Sequence, residues 1–372
     1  MRNIPRAVVA LAAAVAVAAG LSAAAYSKNG HKPAHLTFLG QAIFPTATTF
    51  QGTTVGGLSS ITYDKKRGVF YSLSDDQGQL QPARFYTLSV NLSDGHLDNG
   101  DVKFTGVTTL LAPDGNPYPV ASLDPEGLTL TKKRELIVTS EGFATRNIAP
   151  FVRRYSLDGK FLGDLPVPAA YQPTSATHGV RQNLAFEAAA VTPDGNHLYV
   201  GMENALVQDG PAASLATGSP SRILRYKLGS GKIQRQDVYV TDPIAEPPVP
   251  ATQFAVNGLV ELLMLDQNSG LAMERSFSVG APGTGNTIKL YTVDFHGATD
   301  VDGLDSITGA KKLTTVDKSL LLDLRTLGIP LDNVEGMTLG PTLPDGRRSL
   351  VLVSDNNFAA TQFTQFLLLA LD

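Results

Sequence analysis

The chain has 372 residues, of which 43% are hydrophobic and 17% charged, and its formal net charge is −4. This near balance of charge excludes a basic surface for nucleic acid or anionic lipid, so we expect neither as a partner. The absence of cysteine excludes disulfides, thiol nucleophiles and Cys-ligated zinc. The 35 glycines and 23 prolines favour many short strands over long helices.

Residues 1–25 have the features of an export signal. Arg2 and Arg6 precede an apolar run from Ala7 to Leu21, and small residues before Tyr26 offer a cleavage site. An uncleaved membrane anchor is the alternative, because the run nearly reaches spanning length. We interpret residues 26–34 as a linker and 35–372 as a single domain. The expected protein is therefore periplasmic or secreted, with no membrane span after cleavage.

Five segments share one pattern, in which a short apolar strand and a polar turn precede a second strand that ends near an acid. They are LSSITYDKKRGVFYSLSDD (58–76), EGLTLTKKRELIVTSEG (126–142), FEAAAVTPDGNHLYVGMEN (186–204), VELLMLDQNSGLAMER (260–275) and EGMTLGPTLPDGRRSLVLVSDNN (335–357). Alternating hydrophobicity around turn residues predicts a β-hairpin for each segment.

Two further strand-like runs follow most of these hairpins, such as RFYTLSV and VKFTGVTTLL after the first. Four strands per repeat are typical of a β-propeller blade. The fifth unit lacks a fourth strand, whereas HLTFLGQAIF at 35–44 belongs to no unit. We predict an all-β propeller of about five four-stranded blades, with six as the alternative. The N-terminal strand would close the ring and cover both sheet edges.

Acidic residues recur at one end of the predicted hairpins. In an antiparallel hairpin, the first residue of one strand lies opposite the last residue of the next strand. Counting outward from the centre of each turn therefore predicts which residues form pairs. The resulting pairs are Glu126 with Glu141, Glu187 with Glu203, Glu261 with Glu274, Glu335 with Asp355, and Ser59 with Asp75, beside which lies Asp76. If the hairpins are the inner strands of the blades, these acids converge on one mouth of the central channel.

Carboxylates gathered in this way repel one another and require compensation by a cation, by arginine or by protons held at raised pKa. Hard oxygen ligands suit Ca²⁺ best, with Mg²⁺ as the alternative. Acids at strand ends can also act only as caps for neighbouring blades. The candidate metal ligands are Asp75, Asp76, Glu126, Glu141, Glu187, Glu203, Glu261, Glu274, Glu335 and Asp355.

Other catalytic signatures are absent from the sequence. None of the 6 histidines shows metal-ligand spacing, and no Gly-x-Ser-x-Gly elbow occurs. There is no phosphate-binding glycine-rich loop leading into a helix. The acids therefore carry the functional prediction.

At the hairpins the sequence resembles the phytase-like propeller family, which is described as having esterase-like activity of phytase. The matching segments are GGLSSITYD with YSLSDD, DPEGLTL with VTSEG, RQNLAFEAAAVTPDG with GMEN, NGLVELLMLD with AMERSF, and DNVEGMTLG with LVSDNN, across roughly residues 50–370. The resemblance implies phosphoester hydrolysis served by the ten acids named above. Ser59 stands where the pattern has an acid, and the blade count differs from that of six-bladed phytases.

The hypothesis that follows is a metal-assisted hydrolase of small phosphoesters, expected to be a monomer. Glu126, Glu187 and Glu335 would be catalytic, and Arg181 would orient the ester together with Arg146. Two alternatives remain open at this point. One is a propeller that binds a ligand or partner without catalysis, and the other is a lactonase-like carboxylesterase.

Overall fold

The computed structural model describes residues 35–372. The predicted signal (1–25) and linker (26–34) lie outside these residues and stay predictions. Residues 35–372 contain no helix with the length and hydropathy of a membrane-spanning segment. Their only helical elements are four short 3₁₀ segments: Ala144–Arg146, Ala169–Tyr171, Val207–Asp209 and Leu324–Leu327.

The regular secondary structure of the described residues is mostly β-strand, and the first strand does not belong to the blade that follows it in the chain. It is β1 (Leu36–Pro45), and it precedes a small hairpin of β2 (Thr49–Phe50) and β3 (Thr53–Thr54). Blade I contains β4 (Leu58–Asp64), β5 (Val69–Ser74), β6 (Arg84–Val90) and β7 (Val102–Thr109). Blade II contains β8 (Pro125–Leu130), β9 (Leu136–Ser140), β10 (Phe151–Tyr155) and β11 (Phe161–Leu165).

The remaining three blades repeat the same four-stranded antiparallel order. Blade III contains β12 (Phe186–Val191), β13 (His197–Met202), β14 (Pro220–Lys227) and β15 (Lys232–Val240). Blade IV contains β16 (Ala255–Met264), β17 (Ser269–Ser278), β18 (Asn286–Asp294) and β19 (Asp317–Asp323). Blade V contains β20 (Asn333–Thr342), β21 (Arg348–Asp355), β22 (Phe363–Leu371) and the N-terminal β1.

Strand β1 closes the ring, as the sequence predicts. It pairs antiparallel with β22, from Leu36 opposite Leu371 to Pro45 opposite Phe363. The inner strands contact one another in the order β4, β8, β12, β16, β20 and back to β4. Within residues 35–372 the fold is therefore a five-bladed propeller, which confirms the predicted class and decides the blade count against six.

The hydrophobic core lies between the faces of adjacent blades. Ile61 and Phe70 of blade I, for example, belong to one buried cluster with Val351 and Phe366 of blade V. Burial of these faces stabilises the ring by roughly 25 cal/mol for each Å² of apolar surface removed from water. It also holds the inner strands in fixed positions around the axis, so the side chains at their ends have defined places.

Each inner strand carries an irregularity at the same position near the mouth. The pairing of the first two strands shifts between Leu58 and Ser60, Pro125 and Leu128, Phe186 and Ala188, Leu259 and Glu261, and Val334 and Gly336. Such bulges bend a strand and change the direction of the bulged side chain. The five bulges thus form one ring of equivalent positions around the channel.

Candidate active site

The second strands of the blades supply an outer ring of five equivalent residues. These residues are Asp75, Glu141, Glu203, Arg275 and Asp355. They are equivalent because each lies opposite the residue that is two positions before the bulged residue of the first strand. In blade III, for example, the Glu203 amide donates to Ala185 O at 2.6 Å, and in blade II the Glu141 amide donates to Asp124 O at 3.0 Å. Four blades therefore place an acid in this outer ring, and blade IV places an arginine.

The bulged positions form an inner ring just below it. Its members are Ser59, Glu126, Glu187, Val260 and Glu335. Seven members of the two rings line a cavity of about 870 Å³ at the channel mouth: Asp75, Glu126, Glu187, Glu203, Arg275, Glu335 and Asp355. Its lining includes eight acids: Asp75, Asp124, Glu126, Glu187, Glu203, Asp332, Glu335 and Asp355. Among the described residues that line it, Arg275 is the single basic side chain.

Two groups of three carboxylates meet at Glu141. Oxygen atoms of Asp124, Glu126 and Glu141 lie within 4.8 Å of one another, as do those of Glu141, Glu187 and Glu203. One Glu141 oxygen accepts a hydrogen bond from the Ala185 amide. The other has no hydrogen-bond partner among residues 35–372, and neither does one buried oxygen each of Asp124 and Glu203, although that Glu203 oxygen, Oε1, lies 3.6 Å from the Arg275 guanidinium. The Glu141 and Asp124 oxygens are available to bind a cation.

The surroundings of the carboxyl groups at this site raise their pKa and so favour the protonated form. Burial, and then repulsion by neighbouring carboxylates, raises the pKa of Asp75, Glu126, Glu141 and Glu187 well above the usual range. Burial raises the pKa of Asp124 to about 6, of Glu203 to about 7 and of Asp355 to about 8. Without a cation, several of these groups are therefore protonated at neutral pH.

Arg275 partly offsets this repulsion on the blade IV side. Its guanidinium donates to Glu335 Oε1 at 2.8 Å and lies 3.6 Å from Glu203 Oε1. The nearby carboxylates outweigh the effect of burial and raise the pKa of Arg275, so it stays charged. Its Nε is buried with no hydrogen-bond partner in the described chain. Arg275 is thus a fixed cation with an unused donor beside the cavity.

Two acids of blade IV do not reach the mouth, which corrects the sequence prediction. Glu261 lies one residue beyond the bulge, and its carboxylate accepts hydrogen bonds from Ser60 Oγ at 2.9 Å and from the Ala189 amide at 3.3 Å. It therefore ties blades I, III and IV together deeper in the channel. Small residues occupy the equivalent positions of the other blades: Ser60, Gly127, Ala188 and Gly336.

Glu274 is directed away from the cavity because it precedes the ring residue Arg275, and successive side chains of a strand point to opposite faces. It accepts hydrogen bonds from Tyr239 Oη at 2.6 Å and from the Asp242 amide at 2.8 Å. It is also ion-paired with Lys318. These partners give Glu274 a structural role between blades III and IV instead of the predicted ligand role.

Asp76 and Arg181 are likewise engaged elsewhere. Asp76 forms a buried ion pair with Arg84 at 2.7 Å and accepts the amides of residues 79–81. Arg181 donates to the carbonyl oxygens of Ala205 at 3.1 Å and Gly210 at 2.6 Å and does not line the cavity. The other predicted ligands, Asp75, Glu126, Glu141, Glu187, Glu203, Glu335 and Asp355, lie at the mouth.

Sequence reasoning missed two acids of the lining. Asp124 stands two residues before Glu126 in DPEG, and this spacing is the signal that could have identified it. Gln77 donates to its Oδ1 at 2.7 Å, which leaves Oδ2 facing the other acids. Asp332 is different, because Asn333, Gln362 and Phe363 occupy its oxygens. Asp124 is therefore a ligand candidate, and Asp332 is a structural residue.

The raised pKa values predict how the metal-free protein responds to pH. A carboxyl group whose folded-state pKa exceeds its unfolded value stabilises the fold below the unfolded pKa and loses this effect as pH rises through the folded one. Because Asp124, Glu203 and Asp355 titrate at about 6, 7 and 8, we expect stability in EDTA to fall between pH 5 and pH 8. The expected loss is on the order of a few kcal/mol.

Urea unfolding at each pH measures this trend. Glu203→Gln removes one titrating group and should flatten the slope. A metal-free protein whose stability increases with pH over the same interval would contradict the account of the site's protonation.

The profile of the phytase-like family, described as "Esterase-like activity of phytase", matches residues 53–358. The chain belongs to this family, and the family description fits a hydrolase built on a propeller. No curated protein matches the chain.

Comparison with solved structures gives matches of low similarity, among them the following two. The endo-arabinase of Bacteroides thetaiotaomicron is 12% identical, with 90% of this chain and 96% of that chain covered and a TM-score of 0.42. The periplasmic gluconolactonase of Pseudomonas aeruginosa is 11% identical, with 92% and 93% covered and a TM-score of 0.33. These identities and TM-scores are too low for either structure to inform the fold or the function of this chain.

Proposed function

We propose that this protein is a divalent-cation-dependent hydrolase of small phosphoesters that acts outside the cytoplasm. The observation that carries the proposal is the pair of three-carboxylate groups that share Glu141: Asp124, Glu126, Glu187 and Glu203 line a cavity of about 870 Å³, and oxygens of Asp124 and Glu141 are buried without a hydrogen-bond partner. The family description supports an ester substrate. The proposal includes export directed by residues 1–25 and function as a monomer.

The side chains present fit a hard cation. Two carboxylates about 5 Å apart repel by roughly 3 kcal/mol at an effective dielectric constant near 20, so a crowded ring gains from a bound cation. Ca²⁺ accepts six to eight oxygen ligands in flexible geometry, which suits unevenly placed carboxylates better than the strict octahedron of Mg²⁺. Asp124, Glu126, Glu141, Glu187 and Glu203 would hold it, and Asp75 and Asp355 extend the ring. A bound cation would neutralise phosphate charge and lower the pKa of water.

The protein's own groups supply the remaining requirements. Hydrolysis forms a bond from a water oxygen to phosphorus, breaks the ester P–O bond and needs a proton on the departing alcohol. The attacking water gives up a proton as its oxygen bonds to phosphorus, and whichever of Glu187 and Glu126 does not hold the cation can accept this proton and pass it to the departing alcohol oxygen. Arg275 takes the orienting role that the sequence assigned to Arg181, and Glu335 positions it through their 2.8 Å contact.

A substrate panel tests the proposal. The purified mature protein is assayed with p-nitrophenyl phosphate, bis-p-nitrophenyl phosphate, p-nitrophenyl acetate and a lactone, each in Ca²⁺, Mg²⁺ or EDTA. We expect turnover of a phosphoester that requires Ca²⁺ and stops in EDTA. Hydrolysis of only the acetate or lactone would replace the proposal with the carboxylesterase alternative. Absence of turnover on every ester would leave a ligand-binding propeller.

A further inference from the structure

Among the described residues that line the cavity, both aromatic side chains lie in blade IV or directly before its first strand. Phe254, Val256 and Phe277 line this side of the cavity, which we call the aromatic wall. Phe254 is 62% exposed, although it is a large apolar side chain. Its ring centroid lies 6.3 Å from that of Phe277, with an angle of 40° between the ring planes. The two rings thus form a continuous aromatic surface that faces the cavity.

Hydrogen bonds fix the backbone that carries the exposed ring. The Val279 amide donates to Phe254 O at 3.0 Å, and the Val249 amide donates to Val279 O at 2.8 Å. The segment before β16 therefore lies along the end of β17. Gly280 allows this close approach, because a Cβ there would lie 2.3 Å from Val249 O. An exposed aromatic side chain on a fixed backbone at a cavity wall is typical of a ligand contact.

The guanidinium group of Arg275 lies next to this wall. Arg275 and Phe277 are two residues apart on β17, so their side chains point to the same face of the strand. A ligand whose apolar group lies on Phe277 would therefore bring its attached group close to Arg275. The wall and the guanidinium together describe a ligand that is flat and apolar at one end and anionic at the other.

The charge of the lining limits the charge of the ligand. Eight acids and a single arginine line the cavity, and that arginine already contacts Glu335 and Glu203. Where these acids are deprotonated, one or two divalent cations would compensate only part of their negative charge. A substrate with many phosphate groups would meet strong repulsion here, whereas one phosphate group would face Arg275 and the cation.

On the basis of the proposed function, we infer that the substrate is a phosphoester of an aromatic or similarly flat apolar alcohol, with one or two negative charges. The alcohol part lies against Phe254 and Phe277, and the phosphate lies between Arg275 and the carboxylate ring. Phe254 determines substrate specificity without taking part in the chemical step. Inositol hexakisphosphate is the wrong class of ligand for this cavity.

Steady-state kinetics of Phe254→Ala test this inference in the calcium-loaded protein. For naphthyl phosphate we expect KM to rise about tenfold or more with kcat little changed, because an apolar contact is lost. For glycerol phosphate, which has no apolar group, KM should stay unchanged. Phe254→Tyr should behave like the unmodified protein, and so should Leu162→Ala, which removes an exposed apolar side chain from blade II.

Equal effects of Phe254→Ala on both substrates would overturn the inference, as would a higher kcat/KM for inositol hexakisphosphate than for naphthyl phosphate. A binding measurement separates this inference from the proposed function. If no ester is hydrolysed, titration with naphthyl phosphonate still reports on the aromatic wall. Binding that weakens tenfold in Phe254→Ala would support the ligand class even without catalysis, and binding that is absent or unaffected would refute it.

Discussion

Glu187→Gln is expected to lower kcat for the phosphoester by about 10²-fold or more, the scale associated with loss of a positioned acid–base or electrostatic group. Glu187 lies at the bulge of blade III, belongs to a carboxylate group with Glu141 and Glu203, and lines the cavity. Glutamine preserves its shape but can neither carry the negative charge nor exchange the proton. Steady-state kinetics with circular dichroism as a check of folding measure the effect.

Glu261→Gln is the matched control for this experiment. Glu261 occupies a similar sequence motif, but it contacts Ser60 and backbone amides deeper in the channel. Glutamine can keep its oxygen at those amides and donate to Ser60 Oγ. We therefore expect kcat within about twofold of the unmodified protein, since no group at the cavity changes. Equal losses in both variants would contradict the assignment of Glu187 to the chemistry.

Glu141→Gln is expected to remove the stabilisation by calcium. A ligand that binds only the folded state contributes about 2.7 kcal/mol at a concentration one hundred times its Kd, which corresponds to a rise of Tm of about 5 °C. Glu141 belongs to both carboxylate groups, so its loss affects every arrangement of cations that they can hold. Glutamine can still accept the hydrogen bond from the Ala185 amide. Thermal unfolding in EDTA and in Ca²⁺ measures the change.

The calcium-free form of this variant supplies a second readout. Because glutamine cannot ionise, this variant avoids the repulsion that arises when Glu141 loses its proton among the other carboxyl groups, and we expect Glu141→Gln in EDTA to be as stable as the unmodified protein or more stable. Glu261→Gln should retain the full calcium effect. A calcium-dependent rise of Tm that persists in Glu141→Gln would place the cation elsewhere.

The fold could be predicted because its signals are local. Alternating hydrophobicity and turns such as Pro193-Asp194-Gly195 predict hairpins, and four strands per repeat predict blades. Closure by β1 followed from counting strands, since the last unit lacked one and residues 35–44 belonged to none. Because unpaired sheet edges are unfavourable, pairing of residues 35–44 with the last unit accounted for both observations.

The site was less predictable because one residue of register decides which side chains face the channel. Counting residues outward from each turn assumed regular pairing of the two strands, whereas each inner strand has a bulge. In blades II, III and V both acids still reach the mouth. In blade IV the bulge falls on Val260 and the ring position on Arg275, so Glu261 and Glu274 point elsewhere.

Arginine roles were the hardest to predict, because an arginine's reach makes sequence proximity a poor guide. Arg181 lies near the predicted acids in sequence but is bound to two backbone carbonyls. Arg275 follows a predicted ligand directly and enters the ring in its place. Only the pairing of β16 with β17 shows this difference.

The central claim is that the carboxylates at the channel mouth bind a divalent cation, and calorimetric titration of the EDTA-stripped protein with Ca²⁺ tests it most directly. At about pH 8, where deprotonation favours the metal, we expect saturable binding that Glu141→Gln abolishes and Glu261→Gln preserves. Absence of saturable binding up to millimolar Ca²⁺ or Mg²⁺, or binding that is equal in both variants, would contradict it.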